Sequence, residues 1–231
     1  DPLPAMATIA AKNHENALRN PLAQMRRAFS FEDCNTVSDR NPLIAPPLRL
    51  TDCSLITVGA AAIVLVSAQR AADFEREVRI RSMAHVSDFL PLENRDFIAY
   101  DGPRRAIAQA LEVAAVSLDD VDFAEVHDCF TISELLIYEA MGLAPAGQGH
   151  RVLDEGTVMR GGALPGNLSG GLKAKGHPVG ATGVSMHALS YRQLTGQAGE
   201  MQLDSARLGL VFNMGGAAVA NYASVLEAAR A

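Results

Sequence analysis

From residue 78 onward the chain alternates between two hydrophobic periods. "VRIRSMAHVSD" has the two-residue period of a strand. Gly102 to Val116 follows as an amphipathic helix, with Ile107, Leu111 and Ala114 on one face. "VDFAEVHD" predicts a second strand, and Thr131 to Met141 a second helix. Thr131 and Glu134 make a T-x-x-E capping box at its start, and Gly142 with Pro145 closes it. A long glycine-rich connection, Pro145 to Gly176, leads to a third helix from about Thr182 to Leu194. "ARLGLVFN" and "AAVANYASVLEA" then predict two strands joined by a tight Met-Gly-Gly turn. Strands alternating with helices indicate an α/β layered fold.

Before residue 78 the pattern is less regular. Short helix patterns run over Met6 to His14 and Leu22 to Ala28. Pro42, Pro46 and Pro47 in "NPLIAPPLRL" argue for an irregular, extended path. "SLITVGAAAIVLVS" then predicts a strand buried on both faces. The longest apolar run, Leu55 to Ala68, falls short of the roughly 20 residues of a membrane span, so no membrane partner is expected.

Composition changes this picture in four ways. A net charge of −6 without a basic block argues against nucleic acid as a partner. Cys34, Cys53 and Cys129 lack C-x-x-C spacing, which fits a reducing, cytoplasmic compartment better than a disulfide framework or a zinc ribbon. The opening "DPLPAMATIAAKNH" has neither an initiator Met nor a signal-peptide pattern, so an internal piece or a processed product is expected. Lysines occur only at 12, 173 and 175, and with the high alanine content this points to a GC-rich bacterial source.

Three short stretches could carry chemistry. "EVHDCF" lies where a strand ends and a helix begins, which is where ligands bind in α/β sheets. His127 and Cys129 would face one side of an extended chain, and the helix N-terminus would favour a Cys129 thiolate. "KAKGHPVGATG" places His177 in a loop whose Gly176, Gly180 and Gly183 suit close approach of a substrate. It lacks the Lys-Ser or Lys-Thr of a phosphate loop, and its glycine spacing misses the dinucleotide fingerprint. "FNMGG" ends a strand in backbone N–H groups able to stabilise an oxyanion. Taken singly, each stretch also fits a structural explanation: a buried Cys beside a packing His, a glycine turn with an incidental His, a plain hairpin. A zinc site from His127, Cys129 and His177 has poor ligand spacing. His14, His85, His150 and His187 have no evident partners and are expected to be surface or packing residues.

In this order, H-D-C-F, N-x-S-G-G-x-x-x-K-G-H-P-x-G-A-T-G and N-M-G-G closely resemble the thiolase superfamily. The H-D-C-F form resembles the sterol-carrier-protein-2-type, or lipid-transfer-protein, thiolases. "AAKNHENALRNPLAQ" and "PLRLTDCSLITVGAAAIVL" are similar to that family's loop domain and last N-domain strand. The resemblance implies an α/β thiolase fold: a loop-domain remnant over 1–50, the last N-domain strand over 51–72, and a βαβαβαββ C-terminal domain over 73–231. It implies that His177 activates a nucleophilic cysteine, that Cys129 is the acid/base at the substrate α-carbon, and that His127 joins His177 in binding the thioester oxygen. It implies further that Gly215 supplies a backbone N–H to a second oxyanion hole. Ser169 and Gly170 are candidates for contact with coenzyme A.

The implied activity is thiolytic cleavage of a 3-oxoacyl-CoA or the reverse Claisen condensation, with coenzyme A as substrate and no bound cofactor or metal. The acylated cysteine belongs to the family's N-terminal half and is not found here. Cys34 in "FEDCNTV" and Cys53 in "TDCS" have the wrong context, so the isolated chain is expected to be inactive and to need that half. Val58, Leu55 and Leu168 also depart from the family's usual Asp, Pro and Pro. The residues 55–66 strand is expected at the edge of a sheet completed elsewhere, exposing apolar surface. A dimer or tetramer is implied. Two alternatives remain: a thiolase-like retro-aldolase on β-hydroxyacyl-CoA side chains with an OB-fold acyl-CoA-binding partner, and a non-catalytic acyl-CoA or lipid-binding subunit.

Overall fold

In the computed structural model, which describes residues 1–229, a four-stranded mixed sheet forms the centre. In chain order the helices and strands are α1 (Leu3–Ala17), α2 (Phe31–Asn35), β1 (Leu43–Ala45), β2 (Leu48–Arg49), β3 (Val78–Ser87) and α3 (Asp101–Ala114). Then come β4 (Phe123–Val126), α4 (Thr131–Ala140), α5 (His150–Asp154), α6 (Thr182–Leu194), β5 (Leu208–Gly215) and β6 (Ala220–Ala228). The sheet order is β3-β6-β5-β4, with β4 and β5 parallel and the other pairs antiparallel. β1 and β2 form a separate small ribbon.

Strand alternation divides the core into two layers. Ala124, Val126, Leu210, Phe212, Met214, Ala223 and Val225 face one side, where Ala106, Ile107 and Ala110 of α3 and Leu135 and Ile137 of α4 cover them. Phe123, Val211 and Leu226 face the other, against Met186 and Leu194 of α6 and the loop residues Leu168 and Leu172. The α/β class and these elements are as the hydrophobic pattern predicts. Among the described residues no helix is long and apolar enough to cross a membrane.

Four local expectations are corrected. Residues 55–66 form no strand but an irregular path, with Ile56, Val58, Val64 and Leu65 exposed. A strand exists by pairing, and no neighbour offers this segment a ladder. Leu22 to Ala28 is not helical, while the first helix is longer than expected. Between α4 and α6 the expected strand is reduced to one parallel rung, Ala124 with Gly166. The capping box of α4 does not form: Phe130 is the N-cap, and the Thr131 hydroxyl donates instead to Asp52 Oδ1 at 2.9 Å.

Glu134 is thereby free for a buried network. Its carboxylate accepts from Lys12 Nζ at 2.7 Å, Asn13 Nδ2 at 2.6 Å, Asn167 Nδ2 at 2.9 Å and the Tyr138 hydroxyl. Lys12 Nζ also donates to Gly166 O at 3.0 Å, and Asn16 Nδ2 to Asn167 O at 3.1 Å. α1 is thus fastened by polar groups to the glycine-rich connection. Removing one member of a buried charge pair costs more than the pair is worth, because the other is left unpaired. Glu134→Gln should therefore destabilise the fold by about 3–5 kcal/mol. Lys12→Met should cost less, since Glu134 keeps three neutral donors. Urea unfolding of the two variants checks this, and equal losses would contradict it.

Candidate active site

β4 ends at Val126, and the next three residues leave the sheet at its carboxyl edge. Val126 pairs with Phe212 of the parallel β5, which puts His127 beside Asn213. His127 Nδ1 lies 2.6 Å from Asn213 Oδ1. Asp128 turns inward and accepts from Leu172 N at 2.6 Å, Lys173 N at 3.1 Å and Asn13 Nδ2 at 2.8 Å. These bonds hold a wide helical turn, Gly171–Lys175, against the end of β4. Gly171 is required there: at φ +60° a Cβ would fall 2.1 Å from Asp128 Oδ2.

That turn delivers His177. Its Nδ1 lies 2.7 Å from Thr182 Oγ1, and the Thr182 hydroxyl donates to Pro178 O at 3.0 Å. The His127 and His177 rings meet edge to face, with centroids 5.3 Å apart and planes at 89°. The Cys129 thiol, two residues from His127, lies 3.9 Å from Ser133 Oγ. Residues 53–56 run alongside both motifs: Cys53 bridges to Phe130, Ile56 to His177, and Ser54 N donates to Cys129 O at 2.9 Å. Lys173 Nζ donates to Cys53 O at 2.7 Å and fixes this strip to the turn.

Burial dominates the electrostatics of the site. It holds His127 down to about 4, helped by the charges of His177 and Lys175 and opposed by the Asn213 bond. His177 is lowered by burial and then by Lys175. Burial pushes the Cys129 thiol up to about 11, with Asp128 adding to it and Ser133 opposing. The thiolate expected from the helix terminus is therefore not the resting state: desolvation outweighs the dipole. Burial and the nearby Glu134 push Asp128 up to about 7 against its two backbone donors.

The remaining candidates are placed as follows. Gly215 ends β5 opposite Ala220, exposed, with its carbonyl accepting from Val219 N at 3.1 Å. Ser169 is buried and committed to Glu125, its hydroxyl donating to Oε2 at 2.5 Å and its N–H to Oε1 at 2.9 Å. Gly170 packs on Ala17, and both its backbone groups are used, by Asn167 O and Ala174 N. These two residues brace the loop in this arrangement. His14 is buried against Phe29, His85 stacks on Tyr222, His187 bonds Gly183 O and Ser224 Oγ, and His150 is exposed.

The model of the family described as thiolase C-terminal domain-like matches residues 85–228. The chain belongs to the thiolase superfamily. It is 38% identical over 213 residues to an acetyl-CoA acetyltransferase of Methanothermobacter thermautotrophicus, covering 91% of this chain and 55% of that protein. It is 36% identical over 222 residues to sterol carrier protein 2 of Oryctolagus cuniculus, covering 92% of this chain and 40% of that one. Its fold matches the solved Ltp2-ChsH2(DUF35) aldolase with a TM-score of 0.81 at 22% identity, over 99% of this chain and 59% of that one. The chain spans about half the length of the curated relatives it matches.

For a thiolase-family chain, the other two thiols are poorly placed as nucleophiles. Cys34 is sealed in the α1–α2 contact and pushed up to about 11 by burial, and Cys53 is raised for the same reason. The sequence reading missed Asn213, Thr182 and Lys175 as supports of the histidines. Lys175 is the most telling of them, buried with Nζ 3.2 Å from Ser185 Oγ and lowering both imidazoles. Its only sequence signal was its place two residues before His177. Removing this cation should make both imidazolium forms easier to reach. Lys175→Met is expected to raise the midpoint of His127 from about 4 and that of His177 in the same direction, followed by histidine NMR titration. Unmoved midpoints would show that the Lys175 charge does not reach the site.

Proposed function

We propose that this chain carries the oxyanion-binding and acid–base part of a thiolase acting on an acyl-CoA thioester. The reaction is thiolytic cleavage of a 3-oxoacyl-CoA or the reverse condensation. The observation that carries the reading is the edge-on His127–His177 pair, built from two distant motifs, with Cys129 two residues from His127 along the chain. Similarity to an acetyl-CoA acetyltransferase supports it.

In the cleaving direction a thiolate attacks the 3-oxo carbon and the C2–C3 bond breaks. Its electron pair passes to the α-carbon as an enolate, whose thioester oxygen lies between His127 and His177. The Cys129 thiol, protonated at rest, gives its proton to that carbon. The resulting thiolate takes the proton of the next coenzyme A thiol. Gly215 contributes a backbone N–H to the other oxyanion. The attacking cysteine comes from outside this chain, and the exposed apolar side chains of residues 56–65 meet the part that holds it. The assembly is a dimer or tetramer.

A retro-aldol reaction on a β-hydroxyacyl-CoA is the second reading, favoured by the fold shared with a solved aldolase. It needs no acylated cysteine. Incubation of the complete enzyme with acetyl-CoA should give a covalent acetyl adduct by intact mass. Cys129→Ala should keep the adduct and slow thiolysis by about 10²–10⁴-fold. Absence of an adduct, with carbonyl release from a β-hydroxyacyl-CoA untouched by Cys129→Ala, would replace thiolase with aldolase.

A further inference from the structure

We infer that Asn213 is a positioning residue that fixes His127 as the Nδ1–H tautomer, as Thr182 does for His177, leaving both Nε2 atoms proton-free at rest. The inference rests on the proposed use of the pair to hold a thioester oxygen, and it adds a condition to that use.

The geometry supplies each step. An amide oxygen can only accept, so at 2.6 Å from Asn213 Oδ1 the proton belongs to His127 Nδ1. The Thr182 hydroxyl spends its own hydrogen on Pro178 O, so at 2.7 Å it accepts from His177 Nδ1. The bond made by one ring nitrogen decides the state of the other. Neither Nε2 has a hydrogen-bond partner among the described residues, and neither is counted among the buried polar atoms left unsatisfied. Asn213 is held from two sides. Its backbone pairs with Tyr222 of β6, one residue past the end of the β4 ladder, and its amide packs on the first turn of α6. A Cβ at Gly183 would sit 3.1 Å from Asn213 Nδ2, so a side chain there would crowd the amide.

A carbonyl oxygen facing two bare Nε2 lone pairs is repelled. One Nε2 must gain a proton before the pair can hold it. In the proposed reaction the proton comes from the attacking thiol. It moves from sulfur to His177 Nε2, the thiolate forms the new S–C bond, and the imidazolium becomes a donor. His127 is the poorer acceptor of that proton, being the more deeply buried ring. The pair becomes an oxyanion site only as the nucleophile is activated.

The test is side-chain ¹⁵N NMR of the full chain with labelled histidine at neutral pH. Both His127 and His177 should show the Nδ1–H tautomer. Asn213→Ala should shift His127 toward Nε2–H while His177, held by Thr182, keeps its signature and reports an intact loop. Asn213→Asp should keep the Nδ1–H form and raise the proton affinity of His127 about tenfold or more, by setting a carboxylate against the imidazolium. A purely structural Asn213 would move neither tautomer nor affinity. An Nε2–H His127 in the wild-type chain would overturn the inference, as would a tautomer indifferent to both substitutions. The readout needs no turnover, so a failed thiolase assay with the expected tautomers would count against the functional reading and not against Asn213.

Discussion

Everything around the site depends on the cost of burying the carboxyl groups of Glu134 and Asp128. A buried charge is tolerated only when paired and hydrogen-bonded. α1 meets that demand in an unusual way. Lys12 and Asn16 lie four residues apart on one stripe, Asn13 lies beside them, and Asn20 continues the stripe past the helix end to reach Ser169 O. The inward stripe of α1 is thus apolar at Ala5 and Ile9 and turns polar from Lys12 onward, while Ala7 and Ala10 pack on Cys34 at its side. Because every donor has a fixed partner, the glycine-rich connection has one place to lie. Asp128 then converts that placement into the turn that presents His177.

The same arrangement sets the chemistry. Burial disfavours charge on both rings and on the thiol, so neutral imidazoles and a protonated thiol are the resting forms. Two buried lysines, 173 and 175, set positive charge beside the site, opposed by the carboxyl groups of Asp128 and Glu125. Such ground is unfavourable for another positive charge and favourable for a developing enolate. Burial and Lys175 keep the histidines neutral at rest, and in the proposed reaction the pair holds the enolate only once His177 has taken the proton of the attacking thiol.

The sequence made some of this legible and hid the rest for physical reasons. α6 and the strands β3 to β6 were readable because their side-chain periods match their own geometry. The two histidine motifs were readable as a candidate site because His127 and Cys129 stand at a strand end and His177 in a loop. The Thr131–Glu134 spacing misled, since capping is a competition and Asp52 and Lys12 offered better partners. Residues 55–66 misled because β-structure is a relation between segments, and hydrophobicity alone supplies no neighbour. Asn213 was hidden for the opposite reason. Its link to His127 spans 86 residues and exists only once β4 and β5 take their parallel register.

The strip that runs along both motifs also joins the exposed apolar surface to the candidate site. The strip that bridges to Phe130 and His177 continues directly into the exposed apolar residues 56–65. Ile56 bridges His177 and Gly59 lies against Pro178, so a surface that covers the near end of the strip also approaches His177. Covering it releases water from the apolar residues, which is favourable, and from His177, which is now only half-buried. Further desolvation of His177 disfavours its imidazolium in the direction burial has already set. The hydrophobic gain of docking offsets the cost of drying the polar site. A chain that leaves its apolar strip open therefore also leaves His177 nearer its ordinary value in water.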